Sequence, residues 1–105
     1  DAALHAVDFI CADADSDTES LREFEPDTVI LNPPRRGASP ALIGALVRSR
    51  VKNIIYSSCN FGTLCRDLKL LTDGFDLIEL ASFDMFPMTK HYEVVAVLNR
   101  RDKRN

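Results

Sequence analysis

Thr28-Val29-Ile30-Leu31-Asn32-Pro33-Pro34 is the stretch on which the fold turns. Its apolar run shows no alternation, the pattern of a strand buried on both faces as in a parallel sheet. The run stops at Asn32, because the two prolines that follow cannot continue a ladder. Downstream, Ser39-Pro40 supplies a capping hydroxyl and a proline suited to the first helical position. Leu42, Ile43, Leu46 and Val47 then recur at helical spacing and give one apolar face. Asn53-Ile54-Ile55-Tyr56-Ser57 reads as the next buried strand. A second amphipathic helix is predicted from about Thr63 to Thr72, with Leu64, Leu68 and Leu71 on its stripe and Gly74 as C-cap. Upstream, residues 6–12 form a short β-prone run ending at Asp13, and the polar stretch from Asp15 to Ser20 starts a short helix or loop. Phe75 to Phe83 and Tyr92 to Leu98 are strand-like, and the loop between them is too short for a helical crossover. They are therefore predicted to pair antiparallel. The tail from about Arg100 is expected to fray.

This order of strands and helices predicts an α/β fold, a mostly parallel sheet with a final antiparallel strand. It is similar to the C-terminal half of the Rossmann-like fold of S-adenosylmethionine-dependent methyltransferases. No glycine-rich first turn is present, so the segment that wraps such a cofactor is expected upstream. The chain opens on Asp1 rather than Met. Residues 1–105 are accordingly read as one partial catalytic domain cut from a longer protein.

Composition narrows the function classes. No apolar run approaches the roughly 20 residues needed to span a bilayer, and no secretion signal opens the chain. Cys11, Cys59 and Cys65 cannot all pair with one another, and their spacing fits neither zinc ligation nor a disulfide framework. Reduced thiols in the cytoplasm follow, with no metal site. A formal net charge of -3 argues against a nonspecific nucleic-acid clamp. The charge is uneven, however. Acidic residues crowd the start, whereas Arg35, Arg36 and the tail from Arg100 to Asn105 are basic, which leaves room for a local RNA-facing surface.

Ligands of open α/β sheets sit outside the carboxyl ends of the parallel strands. Asn32 follows the first buried strand and Cys59 the second. Glu93 begins the final strand, whose reversed direction brings its start to the same edge. Three polar or nucleophilic residues far apart in sequence thus converge on one rim.

The motifs themselves carry a resemblance. Asn32-Pro33-Pro34-Arg35-Arg36-Gly37, Tyr56-Ser57-Ser58-Cys59-Asn60 and the run Asp84-Met85-Phe86-Pro87-Met88-Thr89-Lys90-His91-Tyr92-Glu93 resemble the successive motifs of the RNA 5-methyluridine (uracil-C5) methyltransferases. The match covers roughly residues 27–99 and falls in the C-terminal part of the catalytic domain. Its Asn-Pro-Pro form is closer to the ribosomal-RNA branch than to the transfer-RNA branch. Many members have proline after Ser-Cys-Asn, where this chain has Phe61. The resemblance implies that Cys59 is the nucleophile that adds to C6 of uracil, that Glu93 is the base that takes the C5 proton, and that Asn32 contacts S-adenosyl-L-methionine. A thiolate suits such an addition, and a carboxylate suits the proton transfer. The resemblance also implies an RNA partner, ribosomal in this branch, and upstream domains of the same protein. Family members often carry an RNA-binding or iron–sulfur domain there.

Each residue also has a plainer reading. Cys59 could be a small buried hydrophobe, the reading kept for Cys11 and Cys65. Glu93 could solvate a strand end, and His91 is a rival base. Arg35 and Arg36 are either solvated charges beside a turn or phosphate contacts. Asp84 is a turn residue or orders the Glu93 loop, Phe86 reads as core before it reads as a stacking platform, and Asp13 could meet the cofactor's adenosine. Two functional alternatives stand. An amino-group methyltransferase also uses Asn-Pro-Pro, but with an aromatic residue where this chain has Arg35, and it leaves a nucleophilic cysteine without a task. A fragment that binds RNA or the rest of its own enzyme, inactive in isolation, is the other.

Overall fold

The computed structural model describes residues 7–10, 21, 26–83 and 92–101. Strand β1 spans Val7–Ile10, β2 Thr28–Leu31, β3 Asn53–Ser58, β4 Phe75–Phe83 and β5 Glu93–Arg100, with helices α1 (Pro40–Arg48) and α2 (Phe61–Leu71) between them. The five strands form one sheet in the order β1-β2-β3-β5-β4. The pairs β1–β2 and β2–β3 are parallel. β5 runs antiparallel to both β3 and β4. The expected α/β architecture is therefore present, with β5 as the one reversed strand. It lies inside the sheet, between β3 and β4.

Alternation along the strands sorts the sheet into two faces. Val29, Leu31, Ile54, Tyr56, Val94, Ala96 and Leu98 are buried, and Leu42, Ile43, Leu46, Leu64, Leu68 and Leu71 of the two helices join them in one core. The opposite face (Thr28, Ile30, Ile55, Ser57, Val95 and Val97) is only half-buried. β2 was predicted buried on both faces. It is fully buried on one, because α1 and α2 lie on the same side of the sheet.

Helix boundaries follow their caps. Ser39 Oγ accepts the Leu42 N–H at 3.2 Å, and Pro40 opens α1. At the other end of α1, the Arg100 guanidinium donates to the carbonyls of Leu46 (2.9 Å), Val47 (3.1 Å) and Val51 (2.6 Å) and sits 4.4 Å from the centre of the Phe75 ring. Leu46 and Val47 lie in the last turn of α1, where carbonyls lack helical partners, and a fork of donors suits such an end. Burial lowers the Arg100 pKa from its ordinary value. Arg100, where fraying was predicted to begin, is thus held by side-chain bonds, and the Arg101 guanidinium pairs with Asp76 at 2.9 Å. Residues 102–105 lie outside the described residues.

Helix α2 starts two residues before the predicted Thr63, because Asn60 caps it: Asn60 Oδ1 accepts the Thr63 N–H at 3.3 Å. It ends on Thr72 in a right-handed conformation, so Gly74 is not the left-handed cap that was predicted. A Cβ at Gly74 would meet Arg100 Nη1 at 3.4 Å and Val47 Cγ1 at 3.5 Å, ordinary packing distances, so neither handedness nor crowding explains this glycine.

Candidate active site

Two sheet registers set the rim. In β2–β3, the last paired residues are Leu31 and Tyr56, so Asn32 leaves the sheet at the same end as the close of β3. In β3–β5, the last paired residues are Ser58 and Val94, so Cys59, directly after β3, and Glu93, the first residue of β5, both lie at this end of the pair. On the outer side of β5, Phe83 pairs with Glu93 and is 52% exposed. Asn32 and Cys59 are exposed, and Glu93 is half-buried. The structure therefore brings the three predicted residues to one edge.

The turn that carries Cys59 is tightly bonded. Ser58 is buried; its Oγ donates to the Asn60 carbonyl and accepts the Asn60 N–H, both at 3.0 Å. Cys59 is thus presented between a satisfied strand end and a capped helix start. Two side-chain bonds then tie this turn to the start of β5. Ser57 Oγ donates to Glu93 Oε2. The Phe61 N–H, one of the orphan donors of a helix start, donates to the Tyr92 hydroxyl at 3.0 Å.

The loop after Asn32 is gripped by α2. Gly37 has φ of 92° and donates its N–H to the Pro34 carbonyl at 2.8 Å. Thr63 Oγ1 donates to the Arg35 carbonyl at 3.0 Å, and Arg66 Nη2 donates to the Arg36 carbonyl at 2.9 Å. Asp67 is the hub. It is 1% exposed, and its Oδ2 accepts from the Ala38 N–H at 2.8 Å and from the Tyr56 hydroxyl. Its Oδ1 pairs with Arg66 at 3.0 Å. Burial first, and then the bond to the Asp67 carboxylate, push the Tyr56 phenol well above its ordinary pKa. The backbone of the Arg35–Arg36 turn is fixed while both side chains remain exposed.

Sequence reasoning passed over Ser57, Asp67 and the Tyr92–Phe61 bond. A signal for Asp67 was present, since it falls on the same helical stripe as Leu64, Leu68 and Leu71. Ser57 emerges only once the β3–β5 register is known. Cys65, read as a small buried hydrophobe, is exposed, because it sits one residue off that stripe. Cys11, Asp13, Asp84, Phe86 and His91 lie outside the described residues. Among the described residues no group of three metal-ligating side chains is gathered, and no helix is long and apolar enough to cross a membrane.

Comparison with known proteins meets this geometry. The model of the tRNA (uracil-5-)-methyltransferase family matches residues 15–101. The chain belongs to that family. It is 44% identical over 98 residues to the Haemophilus influenzae 23S rRNA (uracil(747)-C(5))-methyltransferase RlmC, covering 93% of this chain and 25% of that protein. It is 46% identical over 81 residues to an uncharacterized RNA methyltransferase of Lactobacillus johnsonii, covering 76% of this chain and 18% of that one. Among solved structures it resembles the Pyrococcus abyssi tRNA (uracil-54, C5)-methyltransferase in complex with S-adenosyl-L-homocysteine, with a TM-score of 0.64 and 45% identity. That match covers 70% of this chain and 18% of the other. The chain thus spans about a fifth to a quarter of the length of these family members.

Proposed function

We propose that this chain is the catalysis-bearing segment of a cytoplasmic RNA uracil-C5 methyltransferase acting on a uridine of 23S ribosomal RNA. The β3–β5 pair, which ends at Ser58 and Val94 with Cys59 and Glu93 as the adjoining residues at that rim, supports this reading. S-adenosylmethionine supplies the electrophilic methyl group. Its contact here is Asn32, an exposed amide at the carboxyl end of β2 that can donate and accept without adding charge. The rest of its site, an RNA-binding or iron–sulfur domain and most RNA specificity belong to upstream domains. Among the described residues nothing forms a ligand set for a cluster.

Carbon 5 of uracil is a poor nucleophile until carbon 6 is saturated. The Cys59 thiolate adds to C6, and the C5=C6 electron pair becomes an enolate whose C5 would take the methyl group as the sulfonium S–CH3 bond breaks, with S-adenosylhomocysteine as the leaving group. The product of that transfer still carries hydrogen on C5 and sulfur on C6. Glu93 removes the C5 proton, the released pair re-forms C5=C6, and the S–C6 bond breaks to restore the thiolate. Arg35 and Arg36 are exposed beside this rim and would meet RNA phosphates, as cations that position rather than read sequence. The relatives' names, one specifying 23S ribosomal RNA, support the substrate class.

The test uses the full-length protein, S-adenosylmethionine and 23S ribosomal RNA containing 5-fluorouridine. Fluorine cannot leave as a proton, so the methylated intermediate stays bonded to the enzyme. A mass-shifted peptide containing Cys59, absent in Cys59→Ala, is the expected result. An RNA that the protein methylates without any such adduct sinks the covalent mechanism and favours transfer to an amino group.

A further inference from the structure

We infer that Ser57 is a positioning residue that holds the Glu93 carboxylate for proton removal, an inference that rests on Glu93 being the base. Ser57 Oγ donates to Glu93 Oε2 across the β3–β5 pair. Ser57 stands on β3 two residues before Cys59, so this bond ties the base to the strand that carries the nucleophile. At the residue before Glu93, the Tyr92 hydroxyl accepts the Phe61 N–H at 3.0 Å, which ties the start of β5 to the helix after Cys59. Two bonds, one from Glu93 itself and one from its neighbour Tyr92, therefore lead back to the Cys59 turn.

The chemistry explains why such ties matter. At elimination, the substrate is anchored by the bond between Cys59 sulfur and C6, and the proton to be removed is on the adjacent C5. The variable left is where the carboxylate stands relative to that sulfur. A glutamate at a half-exposed rim has three rotatable bonds, and fixing such a chain costs rotamer entropy. Ser57 selects one arrangement before substrate arrives. Addition of Cys59 and methyl transfer both precede the need for a base, so loss of Ser57 slows elimination alone.

The experiment is a single-turnover reaction of the full-length protein with S-adenosylmethionine and RNA tritiated at C5 of uridine. The RNA is whichever of a 23S ribosomal or transfer-RNA transcript the wild-type protein methylates. Release of tritium reports elimination, and a denaturation-resistant RNA–protein band reports the preceding steps. In Ser57→Ala, tritium release is expected to fall on the order of 10- to 100-fold. The band should form at the wild-type rate and accumulate. Ser57→Thr keeps the hydroxyl and is expected to restore release. Unchanged release in Ser57→Ala, or equal slowing of both steps as a merely structural serine would give, overturns the inference. Glu93→Gln runs alongside. Wild-type release there removes Glu93 as base and takes the Ser57 inference with it. A trapped band in Glu93→Gln without one in Ser57→Ala removes the Ser57 inference alone.

Discussion

Asp67 offers a sharp test of what holds the Asn32–Ala38 loop in place. Its Oδ2 satisfies two buried donors, the Ala38 N–H and the Tyr56 hydroxyl. Asp67→Ala strands both. At roughly 1–3 kcal/mol for each unsatisfied buried donor, the loss is about 4 kcal/mol. Asp67→Asn keeps an acceptor oxygen for both donors but exchanges a charged acceptor for a neutral one, at roughly 1 kcal/mol per bond, or about 2 kcal/mol together. The ion pair with Arg66 is lost in both variants and adds little, because the Arg66 side chain is 54% exposed. The alanine variant should therefore be less stable than the asparagine variant by about 2 kcal/mol, roughly a 30-fold difference in opening equilibrium. Native-state hydrogen exchange, followed by mass spectrometry on peptides of β3 and α2, reads that difference directly. Equal losses in the two variants would mean that charge rather than acceptor count stabilises the loop. An alanine variant as stable as wild type would refute the hub altogether.

Gly37→Ala combines a left-handed φ of 92° with a Cβ that would lie 2.4 Å from Arg66 Nη2 and 2.8 Å from Asp67 Oδ2. A loss of about 1–3 kcal/mol follows, seen as a lower thermal midpoint, and an unchanged midpoint would show that the turn can be rebuilt. Arg35→Ala and Arg36→Ala should each weaken RNA binding about equally for all sequences and reduce the salt slope of log Kd by about one. A salt titration in which neither slope changes would remove both from the phosphate contacts.

The elements legible in the sequence were those with local causes. Thr28–Leu31 and Asn53–Ser58 announce themselves as apolar runs ended by prolines or a polar turn, and Ser39-Pro40 marks a helix start by its own chemistry. The convergence of Asn32, Cys59 and Glu93 was legible as well, because it needs only strand direction. What escaped depends on register or packing. Nothing local says that Ser57 will find Glu93, since that bond joins residues 36 apart and requires β5 to lie directly against β3. Two antiparallel strands at the end of the chain also fit a sheet with β5 at the edge, so its insertion between β3 and β4 could not be read in advance. Gly74 misled in another way: a glycine just past a helix is usually a matter of handedness, and here α2 ends on a right-handed Thr72 while Gly74 has no positive φ.

That insertion sets spatial order against the order of synthesis. On a growing nascent chain, β3 and β4 are complete before any of β5 exists, yet in the finished sheet they never touch except through it. Until residues 93–100 emerge, the β3 edge has no partner on that side and the last carbonyls of α1 lack the guanidinium that closes them. Cys59 also stands there without Glu93. One late strand therefore completes the sheet, finishes an early helix and brings Glu93 to the rim that holds Cys59 in the same event, so a chain interrupted before it has the Cys59 turn but not the strand end that faces it.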